Sequence, residues 1–234
     1  MSHPTKIIAH RGGTALGPEN SIPTMKRSLK NGAHGIELDV QLTFSDEVVV
    51  MHDTSVNRTT NGEGMIEALS LEEIQWLHLD DGSTPPSLIH VLDELALLNP
   101  ILIIDIKHPK VALPAAKILD HYAREKGYNF THLIMVSFFH QALARVHEQF
   151  PKIITGASLK DMPDSLAACG EFTGSRFVVP AIDILTPAFM KDAQSRGLKV
   201  MSWGCDDAAS IQKAKKLGVE YIITADPTLP ALKS

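Results

Sequence analysis

The sequence predicts a closed (β/α)8 barrel, the TIM-barrel class of α/β fold, with a small insertion after the second barrel strand. Three observations carry this expectation. Short apolar, β-branched segments begin near residues 6, 35, 101, 132, 152, 176, 199 and 221, and helix-forming segments alternate with them from the third onward. The length, 234 residues, suits one such barrel. The polar residues able to do chemistry fall at the C-terminal ends of those segments, the end at which a barrel gathers its site. Together these favour a closed barrel over an open doubly wound sheet. One domain over residues 1–234 is expected, with the insertion at about 54–86.

The first strand, Lys6 to Ala9, is apolar and ends at charge and glycine, His10-Arg11-Gly12-Gly13. Ser21 is placed to cap a helix that runs to Lys30 and stops at Asn31-Gly32. Gly35 to Thr43 alternates, with Glu37, Asp39 and Gln41 on one face and Ile36, Leu38, Val40 and Leu42 on the other. A turn at Ser45-Asp46 leads into a further short strand, Glu47 to Met51, which closes on His52-Asp53. Thr54 to Pro86 is polar and turn-rich, with one short helix at Ser70 to Leu77, and reads as an excursion on the barrel rim. From Ser87 the rhythm is regular. Helices are expected at 87–98, 113–126, 139–150, 187–196 and 208–217, and strands at 101–106, 132–136, 152–156, 176–180, 199–203 and 221–224. Residues 158–174 are weakly patterned.

Composition narrows the function classes. Hydrophobic residues at 44% and charged residues at 21% describe an ordinary globular chain. A net charge of −5 with no basic run argues against a nucleic-acid partner. No apolar run reaches the length of a membrane span, and the N-terminus lacks a signal-peptide pattern. Two cysteines, Cys169 and Cys205, without metal or disulfide spacing, fit a reducing compartment, so a cytoplasmic location is expected.

The chemistry starts at Glu37-Leu38-Asp39-Val40. Residues i and i+2 of a strand share a face, so Glu37 and Asp39 project side by side. Carboxylates that close repel unless a cation or a shared proton relieves them, and this pair asks for a divalent metal. Asp105 and Lys107 repeat the i, i+2 spacing at the end of the next barrel strand. His10-Arg11 closes the first strand, His52 follows the short extra one, and Trp203 ends the seventh. Three carboxylates, two histidines, an arginine and a lysine therefore converge on one mouth. Ser137 lacks the Gly-x-Ser-x-Gly surroundings of a nucleophile elbow. Asp53 reads as a loop or capping residue, and Cys205 as a small buried filler.

These residues, in this order, resemble the glycerophosphodiester phosphodiesterase family. The resemblance rests on His10-Arg11-Gly12, Pro18-Glu19-Asn20, Glu37-Leu38-Asp39-Val40, His52-Asp53 and Arg58-Thr59-Thr60. It continues through Asp105-Ile106-Lys107, Ser137-Phe138, Gly218-Val219, Ile222-Ile223-Thr224 and Asp226-Pro227, so it spans nearly the whole chain. It implies the barrel with its insertion, and hydrolysis of glycerophosphodiesters to glycerol 3-phosphate and an alcohol. It also implies a bound divalent metal, Mg²⁺ or Ca²⁺, held by Glu37, Asp39 and Asp105. Arg11 and Lys107 would bind the phosphodiester, His10 and His52 would act as general acid and base, and Trp203 would wall the substrate. Glu19 would support Arg11 or the metal.

Two departures stand out. The family usually carries Glu-x-Lys where this chain has Asp105-x-Lys107, which shortens the reach by about 1.5 Å. Its Trp-Thr-Val-Asn is replaced by Trp203-Gly204-Cys205-Asp206. The expected partner is a small-molecule phosphodiester. Alternatives are a lysophospholipase D-like phosphodiesterase acting on lysophospholipids and a catalytically silent phosphate-binding barrel.

Overall fold

The computed structural model describes residues 5–233. In chain order its strands are β1 (Lys6–Ala9), β2 (Gly35–Leu42), β3 (Val48–Val50), β4 (Ile101–Ile106), β5 (Leu133–Ser137), β6 (Ile154–Leu159), β7 (Phe177–Pro180), β8 (Lys199–Ser202) and β9 (Tyr221–Thr224). The helices are α1 (Ile22–Lys30), α2 (Leu71–Gln75), α3 (Leu88–Leu95), α4 (Ala112–Glu125), α5 (His140–Gln149), α6 (Ala168–Phe172), α7 (Pro187–Ser195), α8 (Ala208–Leu217) and α9 (Pro230–Lys233).

Eight strands pair in parallel in the order β1-β2-β4-β5-β6-β7-β8-β9, and β9 pairs back onto β1, so the sheet closes. The ninth, β3, is antiparallel and lies against the upper half of β2, Val50 opposite Val40. It takes the edge that β1 leaves after Ile36. Closure at the lower end depends on Gly35, the register partner of both Ile8 and Ile101. A Cβ there would sit 2.4 Å from the Ile101 carbonyl oxygen.

Alternation along each strand splits the core in two. Ile36, Leu38 and Val40 point outward and pack with Leu92, Ala116 and Leu119 of the surrounding helices. Ile8, Ile103, Ile134, Phe177, Met201 and Tyr221 fill the barrel interior. Helix starts follow local chemistry. The Ser21 hydroxyl accepts the Thr24 N–H, Ser87 accepts that of His90, and Ser70 with Glu73 forms a reciprocal capping box. Each such cap contributes about 1 kcal/mol.

After β3 the chain leaves the barrel, makes a short 3-10 turn at Ile66–Ala68 and helix α2, and returns at Ser87, which bridges Val49. This insertion has its own small core, in which Met51, Val56, Ile66 and Ile74 are buried.

One strand differs from the sequence expectation in a way that matters later. A strand is expected at 152–156, yet β6 runs from Ile154 to Leu159. Pro151 and Lys152 form a turn in which the Ile153 N–H donates to the Phe150 carbonyl, so pairing starts later. Residues 156–158, Gly-Ala-Ser, carry little β-propensity, and their place in the sheet comes from pairing with β5 and β7. Helix α6 lies inside the weakly patterned stretch. No helix among the described residues is long and apolar enough to cross a membrane.

Candidate active site

The inward parity of β2 puts Glu37 and Asp39 inside the barrel, 4% and 0% exposed. Asp39 is the register partner of Asp105 on β4, which places a third buried carboxylate beside them. One oxygen from each lies within 4.8 Å of the others. Lys107, two residues beyond Asp105 on the same parity, sets its Nζ 2.8 Å from Asp39 Oδ1 and 2.6 Å from Asp105 Oδ2.

The neighbours of the three carboxylates divide their charge states. Burial would raise Asp39, but Lys107, the Asn20 amide and Arg11 more than offset it and hold the group below its ordinary value. Glu37 is pushed well above the carboxylate range, by burial first and then by the charges of Asp39 and Asp105. Burial also raises Asp105, with Asp39 adding to it and Lys107 opposing. Lys107 itself is raised, because Asp105, Asp39 and Glu37 outweigh its burial.

One ammonium does not satisfy this cluster. Asp105 Oδ1 is buried with no hydrogen-bond partner. An orphaned carboxylate oxygen beside a carboxyl whose pKa its neighbours raise marks three oxygen donors with more negative charge than Lys107 offsets. The donor set suits a hard divalent ion, and the three residues fit one.

The loop after β1 is built to brace the cluster. Arg11, Gly12 and Gly13 all have positive φ, at 48°, 88° and 100°. This turn aims the Arg11 backbone N–H at Glu37 Oε2, 2.7 Å away. Asn20, also left-handed at φ 59°, donates its amide to Asp39 Oδ2 at 2.8 Å and accepts the Asp39 N–H at 3.2 Å. Asparagine tolerates that backbone conformation better than most residues. His10 lies with Nε2 3.7 Å from Glu37 Oε2, and burial lowers its pKa, countered in part by Asp39.

His52 follows β3. Its backbone is held by Gln41, whose Nε2 donates to the His52 carbonyl at 3.1 Å, and its Nδ1 lies 2.7 Å from Asp53 Oδ1. Arg58, from the insertion, donates from Nε to Asp53 Oδ2 at 2.6 Å and from its terminal nitrogens to Glu19 at 2.6 and 3.0 Å. Glu19 in turn accepts from Arg11 at 3.3 Å. A continuous polar chain, His52-Asp53-Arg58-Glu19-Arg11, thus ties the insertion to the barrel. Arg58's hydrogen bond, ahead of that from His52, holds the Asp53 carboxyl far below the usual range.

A cavity of about 360 Å³ opens over these groups, and His10, Arg11, Glu37, His52, Asp105, Lys107 and Trp203 all line it. Asp39 lies beneath, reached through Lys107 and Arg11. Glu19 does not line the cavity; it stands behind Arg11, a bracing position. Larger grooves, about 560, 870 and 460 Å³, lie around Lys6 and Pro100, around Leu113 and Phe150, and around Phe44 and Met65, and none of these includes the carboxylate trio. Trp203 donates its indole N–H to the Val179 carbonyl at 3.2 Å and meets Phe138 edge-on at 6.2 Å. Ser137 is buried and donates to the Ile106 carbonyl, and burial pushes the Cys205 thiol up to about 12.

Sequence reasoning assigns no site role to Asn20, Asp53, Arg58, Phe138 or Lys160. Asn20, Asp53, Arg58 and Phe138 stand inside motifs that resemble the family, so a signal exists for them, and Lys160 has none.

The sequence profile of the Glycerophosphoryl diester phosphodiesterase family matches residues 10–229, from the first histidine of the cavity to beyond the last barrel strand. The chain belongs to this family. A glycerophosphodiester phosphodiesterase of Caldanaerobacter subterraneus subsp. tengcongensis is 32% identical over 241 residues, covering 95% of each chain. Glycerophosphodiester phosphodiesterase 1 of Homo sapiens is 27% identical and covers 84% of this chain and 70% of its own. Among solved structures, a glycerophosphodiester phosphodiesterase of Agrobacterium tumefaciens superposes with TM-score 0.81 at 27% identity, covering 97% of this chain and 99% of that one. An Oleispira antarctica phosphodiesterase has the same fold at TM-score 0.88 and 21% identity, covering 98% and 97%. As a glycerophosphodiester phosphodiesterase family member, the chain is an enzyme of the phosphoric diester hydrolase class.

Proposed function

We propose that the chain hydrolyses glycerophosphodiesters to glycerol 3-phosphate and an alcohol, with a divalent cation bound, and that His10 and His52 move the protons. The observation that carries this reading is the shared cavity, in which two imidazoles, a guanidinium and an ammonium face a cluster of three carboxylates. The Oleispira antarctica phosphodiesterase was solved with the product sn-glycerol-3-phosphate, which supports the same product here.

Arg11 and Lys107 line the cavity and bring two fixed positive charges to a phosphodiester. Arginine does so as a fork, lysine as a point charge. Breaking the diester requires one proton to leave the attacking hydroxyl and another to reach the departing alkoxide. His10, kept neutral by burial, is ready to accept a proton at neutral pH. His52 has Nδ1 engaged by Asp53, which leaves Nε2 as its working atom. Phe138 and Trp203 form an apolar wall on the β5 and β8 side of the cavity, against the part of the substrate away from the reacting phosphate. Mg²⁺ or Ca²⁺ held by Glu37, Asp39 and Asp105 would supply Lewis-acid charge to the phosphoryl oxygens.

The test is turnover of the purified protein on glycerophosphodiesters with several head groups, together with one acylated substrate. The assay is repeated after chelation and after Mg²⁺ or Ca²⁺ is restored. Glycerol 3-phosphate should appear, stop on chelation and return with metal. His10→Ala and His52→Ala should each lower kcat by about 10²- to 10⁴-fold. No turnover on any diester with any metal would overturn the proposal, and preference for the acylated substrate would favour the lysophospholipid alternative.

A further inference from the structure

The cavity has two chemically different halves. His10, Arg11, Glu37, His52, Asp105 and Lys107 come from the β1, β2-β3 and β4 side. The opposite half is formed by the ends of β5 to β8, and its residues are apolar or aromatic apart from Ser158 and Lys160. Lys160 directly follows β6, which lies four strands from β1 in either direction around the ring. Lys160 therefore joins the cavity wall opposite Arg11 and two strands from Lys107.

Lys160 is exposed, and among the described residues none pairs with its side chain. The acids that line the cavity, Glu37 and Asp105, belong to the far half. An unpaired cation in a cavity wall acts on whatever charge the substrate presents there. On the proposed reading the reacting phosphate lies with Arg11 and Lys107, and glycerol carries no charge. The leaving alcohol is the one remaining part of a diester that can be anionic.

The Phe138–Trp203 pair complicates the choice, because an edge-to-face aromatic corner can also hold a quaternary ammonium through its ring faces. Lys160 opposes that by like-charge repulsion. We infer that Lys160 is a specificity residue that favours diesters whose head group bears a second anion, a phosphate or carboxylate, over those with a cationic head group. This inference rests on the hydrolase reading above. The contact is the same in ground and transition states, so it acts on KM and not on kcat.

The experiment measures kcat and KM of the metal-loaded enzyme on glycerophosphoinositol 4-phosphate, glycerophosphoinositol and glycerophosphocholine. Wild type is compared with Lys160→Ala and Lys160→Glu. The ratio of kcat/KM for the phosphorylated over the choline substrate should fall about tenfold in Lys160→Ala and further in Lys160→Glu. The change should appear in KM, and the wild-type ratio should shrink as salt is raised, since an exposed charge is screened. A ratio unchanged in both variants, or a loss equal for all three substrates, overturns the inference. Calorimetric Kd values for the same diesters in the His52→Ala variant repeat the comparison without turnover. If wild type hydrolyses nothing but the Kd ratio follows Lys160, the hydrolase reading fails and the charge preference stands.

Discussion

Asp53→Asn isolates the link between the insertion and the catalytic histidine. Asp53 accepts on both sides, with Oδ1 2.7 Å from His52 Nδ1 and Oδ2 2.6 Å from Arg58 Nε. Asparagine has the same shape but one oxygen and one NH₂. If its oxygen faces His52, its NH₂ meets the donors of Arg58. If the oxygen faces Arg58, the NH₂ faces His52 Nδ1 and favours the tautomer with the proton on Nε2, which removes the imidazole as a base. General acid–base catalysis is worth about 10²- to 10⁴-fold. His52 and Asp53 are about a third exposed at the side chain, 32% and 28%, so water can partly replace the lost bond. The expected fall in kcat is therefore about 10²-fold, with KM little changed. The Arg58 side chain is 49% exposed, so its pairing is screened and the stability loss should stay below about 1 kcal/mol. Steady-state kinetics beside a thermal melt checks both. An unchanged kcat in a folded variant would refute the role of the chain; so would a kcat loss explained by a collapsed Tm. Because Arg58 and His52 depress Asp53 in the folded state, its stabilising share is present above the unfolded carboxyl pKa and is lost only as pH falls below it. An acid limb of activity near neutral pH should therefore not come from Asp53.

Three further outcomes are expected. Gly35→Ala places a Cβ 2.4 Å from the Ile101 oxygen and 2.7 Å from its Cβ, against backbone that cannot step aside, and should cost about 1–3 kcal/mol in denaturant midpoint; an unchanged midpoint contradicts the closure argument. Glu37 is raised by burial and by Asp39 and Asp105, so a proton competes with a metal there more strongly than at an ordinary glutamate. Apparent metal affinity should then weaken about tenfold per pH unit below the metal-free value, and calorimetry in two buffers of different ionisation enthalpy should show proton release. Burial and the bond to Asp93 push the Tyr122 hydroxyl from 10.0 to about 12. Its protonated form is favoured in the folded state, so this stabilisation holds below pH 10 and fades toward pH 12, and the alkaline loss of stability should be shallower in Tyr122→Phe.

Much of the barrel is legible in the sequence because parity and capping are local. Glu37, Asp39 and Gln41 against Ile36, Leu38 and Val40 states which face of β2 is inward before any neighbour is known. Ser21, Ser70 and Ser87 mark helix starts by chemistry that acts within one turn. Strand β6 is less legible, since Ala157 and Ser158 lie beyond the strand expected at 152–156 and extend it only by pairing with β5 and β7. That shift is what brings Ser158 and Lys160 to the cavity. The brace from Arg58 to Glu19 joins residues 39 positions apart and depends on how the insertion folds back, which no local pattern encodes. Asp105 illustrates the converse. Its shorter side chain makes it the doubtful ligand in sequence, yet its pairing with Asp39 brings an oxygen into the cluster, and its Oδ1 is the atom left without a partner.

The central claim is that Glu37, Asp39 and Asp105 hold one divalent cation beside a phosphate bound by Arg11 and Lys107. A crystal structure of the protein soaked with Mn²⁺ and glycerol 3-phosphate tests it directly, with anomalous scattering to locate the metal. The account predicts one peak within bonding distance of all three carboxylates and a phosphate in contact with that ion and with both cations. A metal bound elsewhere, or a phosphate resting at Lys160 with the carboxylate cluster empty, would contradict it.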